Sequence, residues 1–231
     1  MSTKRNKLFF LLKSTIQLLG LVFVLMFFLA CTDIPYNALM RLAEVPSCER
    51  PPRYIFVQGG NAFPSADALL LQYHLEKSRE QFPEAKIYYC LPSVSSDTSG
   101  ESYIRARLVS IADTCPLQLK VISDGVNTYD EIQKLVSLLP HDSLHCSLLL
   151  ITKPEHYKRS IACLNRSGIT DICGINTMDT PVPPSLLAHG EESKRSPALL
   201  WRYNVWSYLQ YEIIIFREYC AILYYRLKSY I

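Results

Sequence analysis

Between residues 53 and 175, short apolar runs bounded by turn residues alternate with stretches of helical periodicity, and this alternation constrains the fold more than any other feature. The predicted strands are 54–58 (YIFVQ), 86–91, 119–123, 147–152 (SLLLIT) and 171–175. Helices are predicted between them at 65–82, 100–114, 128–139 and 154–166. Strands alternating with helices of this length imply right-handed crossovers and a parallel sheet with helices on both faces. The expected class is therefore α/β: a parallel sheet of about five strands with helices on both faces, preceded by an N-terminal transmembrane helix and followed by a long C-terminal helix.

Ahead of this block, Lys4, Arg5 and Lys7 precede an apolar run over 8–30, broken by Lys13, Ser14, Thr15, Gln17 and Gly20. The run is long enough to cross a bilayer, which takes about 20 helical residues. Its positive flank, set against Asp33 and only Arg41 in 32–42, places the N-terminus in the cytoplasm and the rest outside. A cleaved secretory signal fits the same pattern. Phe-Leu-Ala-Cys, ending at Cys31, offers a lipoprotein signal as another alternative, although Phe28 and Leu29 depart from the usual order. The preferred reading is an uncleaved, single-pass anchor in the inner (cytoplasmic) membrane, over 1–31. Residues 32–52, with Pro35, Pro46, Pro51 and Pro52, read as a juxtamembrane connector too broken for a long element. What remains, 53–231, suits a single domain with a full-sized core.

Twenty-four Lys and Arg against twenty-one Asp and Glu leave a charge of only +3. With no basic stripe in the exported part, nucleic acid is not an expected partner. The eight cysteines form no C-x-x-C pair and no Cys/His spacing of a zinc site, so no metal is expected. Export permits disulfides, and without Cys31 an odd number of thiols remains. Residues 178–197, rich in Pro, Ser and charge, read as a long surface loop, and 198–231 as an amphipathic, aromatic helix. Glu212, Arg217, Glu218 and Arg226 make that helix too charged for a second membrane span. Packing over the sheet is the preferred role for it, and docking on a membrane surface the alternative.

In an open parallel sheet the ligand crevice lies beyond the carboxyl ends of the strands, so the informative residues follow each strand. After the first come Gly59, Gly60 and Asn61, where glycines let the backbone approach a ligand; a tight strand-to-helix turn is the plain alternative. This V-Q-G-G-N lacks both the dinucleotide fingerprint and the Gly-Lys-Ser/Thr of a P-loop. After the third strand comes D-G-V-N-T-Y-D-E, in which Thr128 and Glu131 fit a capping box and Asn127 is left facing the crevice. After the fourth comes I-T-K-P-E-H-Y-K-R, with Pro154 suited to the first helical position, His156 in the first turn and Arg159 on the same face. At a helix start His156 is expected to be a neutral proton donor or acceptor, and Arg159 offers a fork for phosphate or carboxylate. Solvent-facing side chains are the plain alternative for either residue alone.

These motifs, V-Q-G-G, N-T-Y-D-E and I-T-K-P-E-H-Y-K-R-S followed by Asn165 to Gly168, resemble those of the YdcF/SanA-like envelope proteins over roughly 53–175. A looser echo is R-E-Y-C-A-I-L-Y-Y-R at 217–226, and the family's N-terminal membrane segment is matched. The resemblance implies a Rossmann-like domain with a polar strand-end pocket, in bacterial proteins linked to envelope integrity and cell-wall or lipid-carrier metabolism. It implies pocket residues Gly59, Gly60, Asn127, Thr128, Glu131, His156 and Arg159. Two departures weaken a phosphate pocket. Ser65, Ala66 and Asp67 stand where the family usually has an Arg, and Leu91, Pro92 and Ser93 where it tends to have Ser-Gly-Gly.

The functional expectation is an envelope-biogenesis protein tethered to the membrane, whose crevice binds a phosphate- or nucleotide-like group or a lipid-linked wall precursor. In a catalytic form His156 is the general acid or base and Arg159 the anion clamp. The alternative is a non-catalytic ligand-binding or scaffold module for wall-synthesis partners. No cofactor is identified, and an extracytoplasmic position weighs against S-adenosylmethionine.

Overall fold

The computed structural model describes residues 2–59, 65–91, 99–110, 116–123, 125–140, 146–175 and 197–231. Among them are β1 (Tyr54–Gln58), β2 (Lys86–Cys90), β3 (Leu119–Ile122), β4 (Leu148–Thr152) and β5 (Ile172–Gly174). The helices are α1 (Ser2–Ala30), α2 (Ile34–Leu42), α3 (Ala66–Gln81), α4 (Ser99–Val109), α5 (Thr128–Leu138), α6 (Tyr157–Arg166) and α7 (Pro197–Leu227). A 3-10 turn, Pro154–His156, precedes α6, so the predicted helix 154–166 is two elements joined at His156.

The strands form one parallel sheet in the order β3-β2-β1-β4-β5. Every residue of β1 and of β4 is buried, as continuous apolar runs in the middle of a two-sided sheet must be. At the edge, β3 has only its first and last residues buried. Alternate side chains separate two cores. Ile55, Val57, Ile87 and Tyr89 pack with Leu71 and Leu75 of α3 and Ile104 and Leu108 of α4. Tyr54, Phe56, Tyr88 and Leu150 pack with Ile132 and Leu135 of α5, Cys163 and Leu164 of α6, and Tyr225 of α7. The chain thus winds outward from β1 to β3 under one helix layer, then returns to β4 and β5 under the other. β1 and β4 are adjacent at the point where the winding reverses.

The described chain divides into two compact units, one comprising α1, α2 as far as Leu39, and α7 as far as Arg217, the other comprising the sheet with its helices and the end of α7 from Glu218. In the first, α1 contains a 22-residue stretch, Phe9–Ala30, of mean hydropathy 2.0 that is long and apolar enough to cross a membrane. Thr15 donates its hydroxyl to the Leu11 carbonyl at 2.9 Å, so this polar group is satisfied within the helix. Asp33 accepts from the Tyr208 hydroxyl at 3.3 Å, and Tyr36 stacks on Tyr208.

The proline-rich connector contains a nine-residue helix, α2, that was not expected from the sequence. Pro35 stands in its first turn, where the missing N–H has no intrahelical partner to lose. Beyond α2 the connector is fastened to β5 by a disulfide between Cys48 and Cys173, residues 125 apart in sequence. The Gly174 amide donates to the Pro46 carbonyl at 3.0 Å. A Cβ on Gly174 would come within 2.9 Å of Val45, so the two segments are in close contact.

Candidate functional site

The carboxyl ends of β1 and β4 meet the starts of α5 and α6 where the sheet reverses its winding, which is where this architecture opens a crevice. Gln58, the last residue of β1, is buried and joins both helices. Its amide nitrogen donates to Glu131 of α5 at 2.6 Å, and its amide oxygen accepts from the Ser160 hydroxyl of α6 at 2.6 Å. Its backbone carbonyl accepts from Thr152 of β4 at 3.0 Å. One carboxamide thereby uses a donor and an acceptor to set the spacing of two helix starts.

The capping box expected of Thr128 and Glu131 is not formed. The N-cap is Asn127, whose backbone is extended and whose side-chain oxygen accepts from the Asp130 amide at 3.1 Å, while Asp130 accepts from the Val126 amide at 3.1 Å. Asn caps as well as Thr, and with Asn127 in that place the helix begins one residue earlier than the box required. Asn127 therefore has a structural role, and Thr128 and Glu131 are released to face inward. Glu131 reaches Gln58 because Gly125 lies beneath it: a Cβ on Gly125 would be 2.3 Å from Glu131 Cγ. Burial raises the Glu131 carboxyl above the usual carboxylate range, against the Gln58 hydrogen bond and the charges of Arg159 and His156.

Arg159 is buried, not solvent-facing. Its Nε donates to Glu218 at 2.6 Å and its Nη2 to the other carboxylate oxygen at 3.3 Å, a bidentate pair. Nη1 donates to Thr128 Oγ1 at 2.6 Å and to the Tyr225 hydroxyl at 3.3 Å. The guanidinium lies 5.1 Å from the centre of the Tyr225 ring. Burial opposes its charge, but Glu218 outweighs this and raises its pKa. Burial also works against ionised Glu218, yet hydrogen bonds from His156 and Arg159 hold it below the usual range. Two neighbouring carboxyls are thus moved in opposite directions, Glu131 up by burial and Glu218 down by its hydrogen bonds to His156 and Arg159.

His156 Nδ1 lies 3.1 Å from Glu218 Oε2 and 2.9 Å from Arg159 Nη2. These contacts are alternatives: a protonated Nδ1 donates to the carboxylate, an unprotonated one accepts from the guanidinium. The His156 side chain is 22% exposed, against 1% for Glu218. With Nδ1 donating to Glu218, Nε2 is the atom available for a proton from a ligand.

Of the sequence-predicted residues, Thr128, Glu131, His156 and Arg159 are brought together, with Asn127 at their edge, 3.4 Å from the Tyr225 hydroxyl. Gly59 is buried at the end of β1, where an added Cβ would meet only ordinary contacts, the nearest at 3.5 Å. Gly60, Asn61 and the loop 178–196 lie outside the described residues. Lys153, from the I-T-K-P motif, pairs at 2.5 Å with Asp67, which stands in the segment where the resemblance leads one to expect an Arg.

Sequence reasoning missed Gln58, Ser160, Tyr225 and above all Glu218. Gln58 was visible as the polar end of an apolar strand, and Glu218 as a carboxylate in an aromatic helix. Among the described residues no group of three His, Cys, Asp or Glu side chains is placed to hold a metal ion. No family model, curated protein or solved structure matches the chain.

Proposed function

We propose that this chain is a membrane-tethered envelope-biogenesis protein of the YdcF/SanA-like type, whose crevice at the ends of β1 and β4 binds a phosphate- or nucleotide-like group. A lipid-linked cell-wall precursor is the ligand class open to a domain held outside the inner membrane. One observation carries the reading: buried Glu218 bonds both His156 and Arg159 where the sheet reverses. Glu218 orients the imidazole and offsets its positive charge, so that Nε2 can take a proton from a ligand hydroxyl or return one to a leaving oxygen. Glu131, its carboxyl raised by burial, is a second proton carrier. Arg159 acts by holding Glu218 and Thr128. The disulfide between Cys48 and Cys173 agrees with an exported position, since such bonds persist in oxidising compartments.

The test uses the full chain in detergent, titrated by calorimetry with inorganic phosphate, a nucleoside monophosphate and a polyprenyl phosphate. At least one is expected to bind, and His156→Gln to weaken it by about tenfold or more with the chain still folded by far-UV circular dichroism. Absence of binding by all three, or binding indifferent to His156→Gln, would defeat the proposal. Protease added to spheroplasts is expected to degrade the α/β unit, and protection would overturn the topology.

A non-catalytic binding or scaffold module is the second reading. It is favoured by the lack of an activated nucleophile among the described crevice residues: Ser160 donates to Gln58, and burial pushes the Cys163 thiol up to about 12. Binding without turnover in a product-resolved assay would select it.

A further inference from the structure

The last stretch of α7, from Glu218, belongs to the α/β unit and is held on it at a fixed rotation. Glu218 bonds His156 and Arg159, the Tyr225 hydroxyl accepts from Arg159, and Ile222, one turn from each, is buried on the same side. The helix ends in a reversal. Ser229 has φ 58°, its amide donates to the Arg226 carbonyl, and the Tyr230 amide reaches back to the Tyr225 carbonyl at 2.9 Å. Tyr230 then stacks on Tyr129 of α5 with ring centres 4.0 Å apart. Fastened at both ends, the segment cannot turn its outer face inward.

That outer face is apolar. With about 100° between successive residues, Tyr219, Leu223, Leu227, Cys220 and Tyr224 form a stripe about 140° wide, centred opposite the buried side of Glu218, Ile222 and Tyr225. Leu223 is 58% exposed and Leu227 77%, and Cys220 is an exposed free thiol. A two-stranded coil uses a narrower seam than this. Charge names the occupant. Arg226 and Lys228 are the only charged side chains of 219–231; both are exposed, and they fall just beyond the two edges of the stripe, one on each side. Neither forms an ion pair among the described residues, and Lys228 Nζ lies 5.9 Å from the centre of the Tyr224 ring. Leucines along the middle, tyrosines at the margins and a basic side chain at each rim suit the headgroup region of an anionic bilayer. A bilayer is at hand, because the same chain carries Phe9–Ala30, long and apolar enough to cross one.

We infer that residues 219–228 dock on the headgroup region of an anionic bilayer, Leu223 and Leu227 entering its apolar boundary and Arg226 and Lys228 meeting lipid phosphates. Glu218 and Tyr225 are on the opposite side of the same helix, so docking sets the crevice about 10 Å from lipid, one helix diameter. The inference does not rest on which ligand the crevice takes.

The test uses the full chain with Cys31→Ser, because Cys31 is also exposed, labelled at Cys220 with a small environment-sensitive fluorophore and reconstituted into vesicles of phosphatidylcholine with or without phosphatidylglycerol. The same chain with added Cys220→Ser gives the background. With phosphatidylglycerol present, the probe is expected to be quenched by brominated acyl chains and shielded from aqueous iodide. Leu223→Gln with Leu227→Gln should reverse both effects, and circular dichroism should be retained because these side chains are exposed. Arg226→Gln with Lys228→Gln should lower the ratio of docked to undocked chains by about tenfold or more. Quenching by iodide alone in both kinds of vesicle, or lipid quenching indifferent to the leucine variants, would overturn the proposal. Equal docking on neutral and anionic vesicles would overturn the assignment to anionic lipid. Shielding from both quenchers together with a cross-linked dimer would give the face to a second copy of the chain and overturn the proposal as well.

Discussion

Substituting Glu218 by Gln leaves Arg159 a buried cation without its counter-charge. Glu218 is 1% exposed and Arg159 10%, so water can replace little of what is lost. Removing one partner of such a pair costs about 3–5 kcal/mol. Gln retains one acceptor oxygen, which places Glu218→Gln near the lower bound, about 3 kcal/mol. Arg159→Met strands the carboxylate and also frees Thr128 and Tyr225, so about 4–5 kcal/mol is expected. The double variant Glu218→Gln/Arg159→Met removes both charges and should fall well short of the sum, by about 2 kcal/mol or more. Urea unfolding of the full chain in detergent, followed by far-UV circular dichroism, measures all three. Single costs under about 1 kcal/mol that simply add would mean that the pair is solvated and the reasoning wrong. The pH dependence has a definite sign. Because the folded-state pKa of Glu218 is lowered, its contribution is present above the unfolded value of about 4.3 and is lost as pH falls through the lower folded value. The gap between wild type and Glu218→Gln should therefore close only in acid.

Glu131 has the opposite sign: its raised carboxyl contributes stability below the unfolded value of about 4.3, which is lost as pH rises through the folded value. Glu131→Gln is expected to melt higher than wild type near neutral pH and to converge with it in acid; a lower melting temperature at every pH would contradict the burial argument. Gly125→Ala should cost about 1–3 kcal/mol by driving Glu131 off Gln58, and added Glu131→Ala should recover much of it in the same unfolding assay. Reducing the Cys48–Cys173 bond, which closes a loop of 125 residues, should lower stability by about 4–5 kcal/mol. Melting with and without reductant, set against Cys48→Ser, checks this; an unchanged melting temperature would refute it.

The two middle strands were legible because a strand buried on both faces must be apolar throughout, and YIFVQ and LLLIT are apolar until their last residue. The helix starts were legible in type but not in register. Asn127 and Thr128 are both good caps; Asn127 takes the cap, and the Thr128 hydroxyl accepts from Arg159 instead. Likewise His156 and Arg159 were recognisable as a pair three residues apart, whereas the burial of Arg159 was not.

By itself, then, the sequence determined what depends on near neighbours: alternating periods that specify an α/β sheet, an apolar stretch long enough to span a bilayer, and the placing of His156 beside Arg159. Tertiary structure alone decided the partners. Glu218 lies 62 residues beyond His156, Ser160 lies 102 beyond Gln58, and Cys48 bonds Cys173. The physical reason is that local periodicity dictates which face of an element is buried but not which elements become neighbours. That depends on the strand order β3-β2-β1-β4-β5, which brings β1 beside β4, and on α7 returning Glu218 and Tyr225 to the starts of α5 and α6.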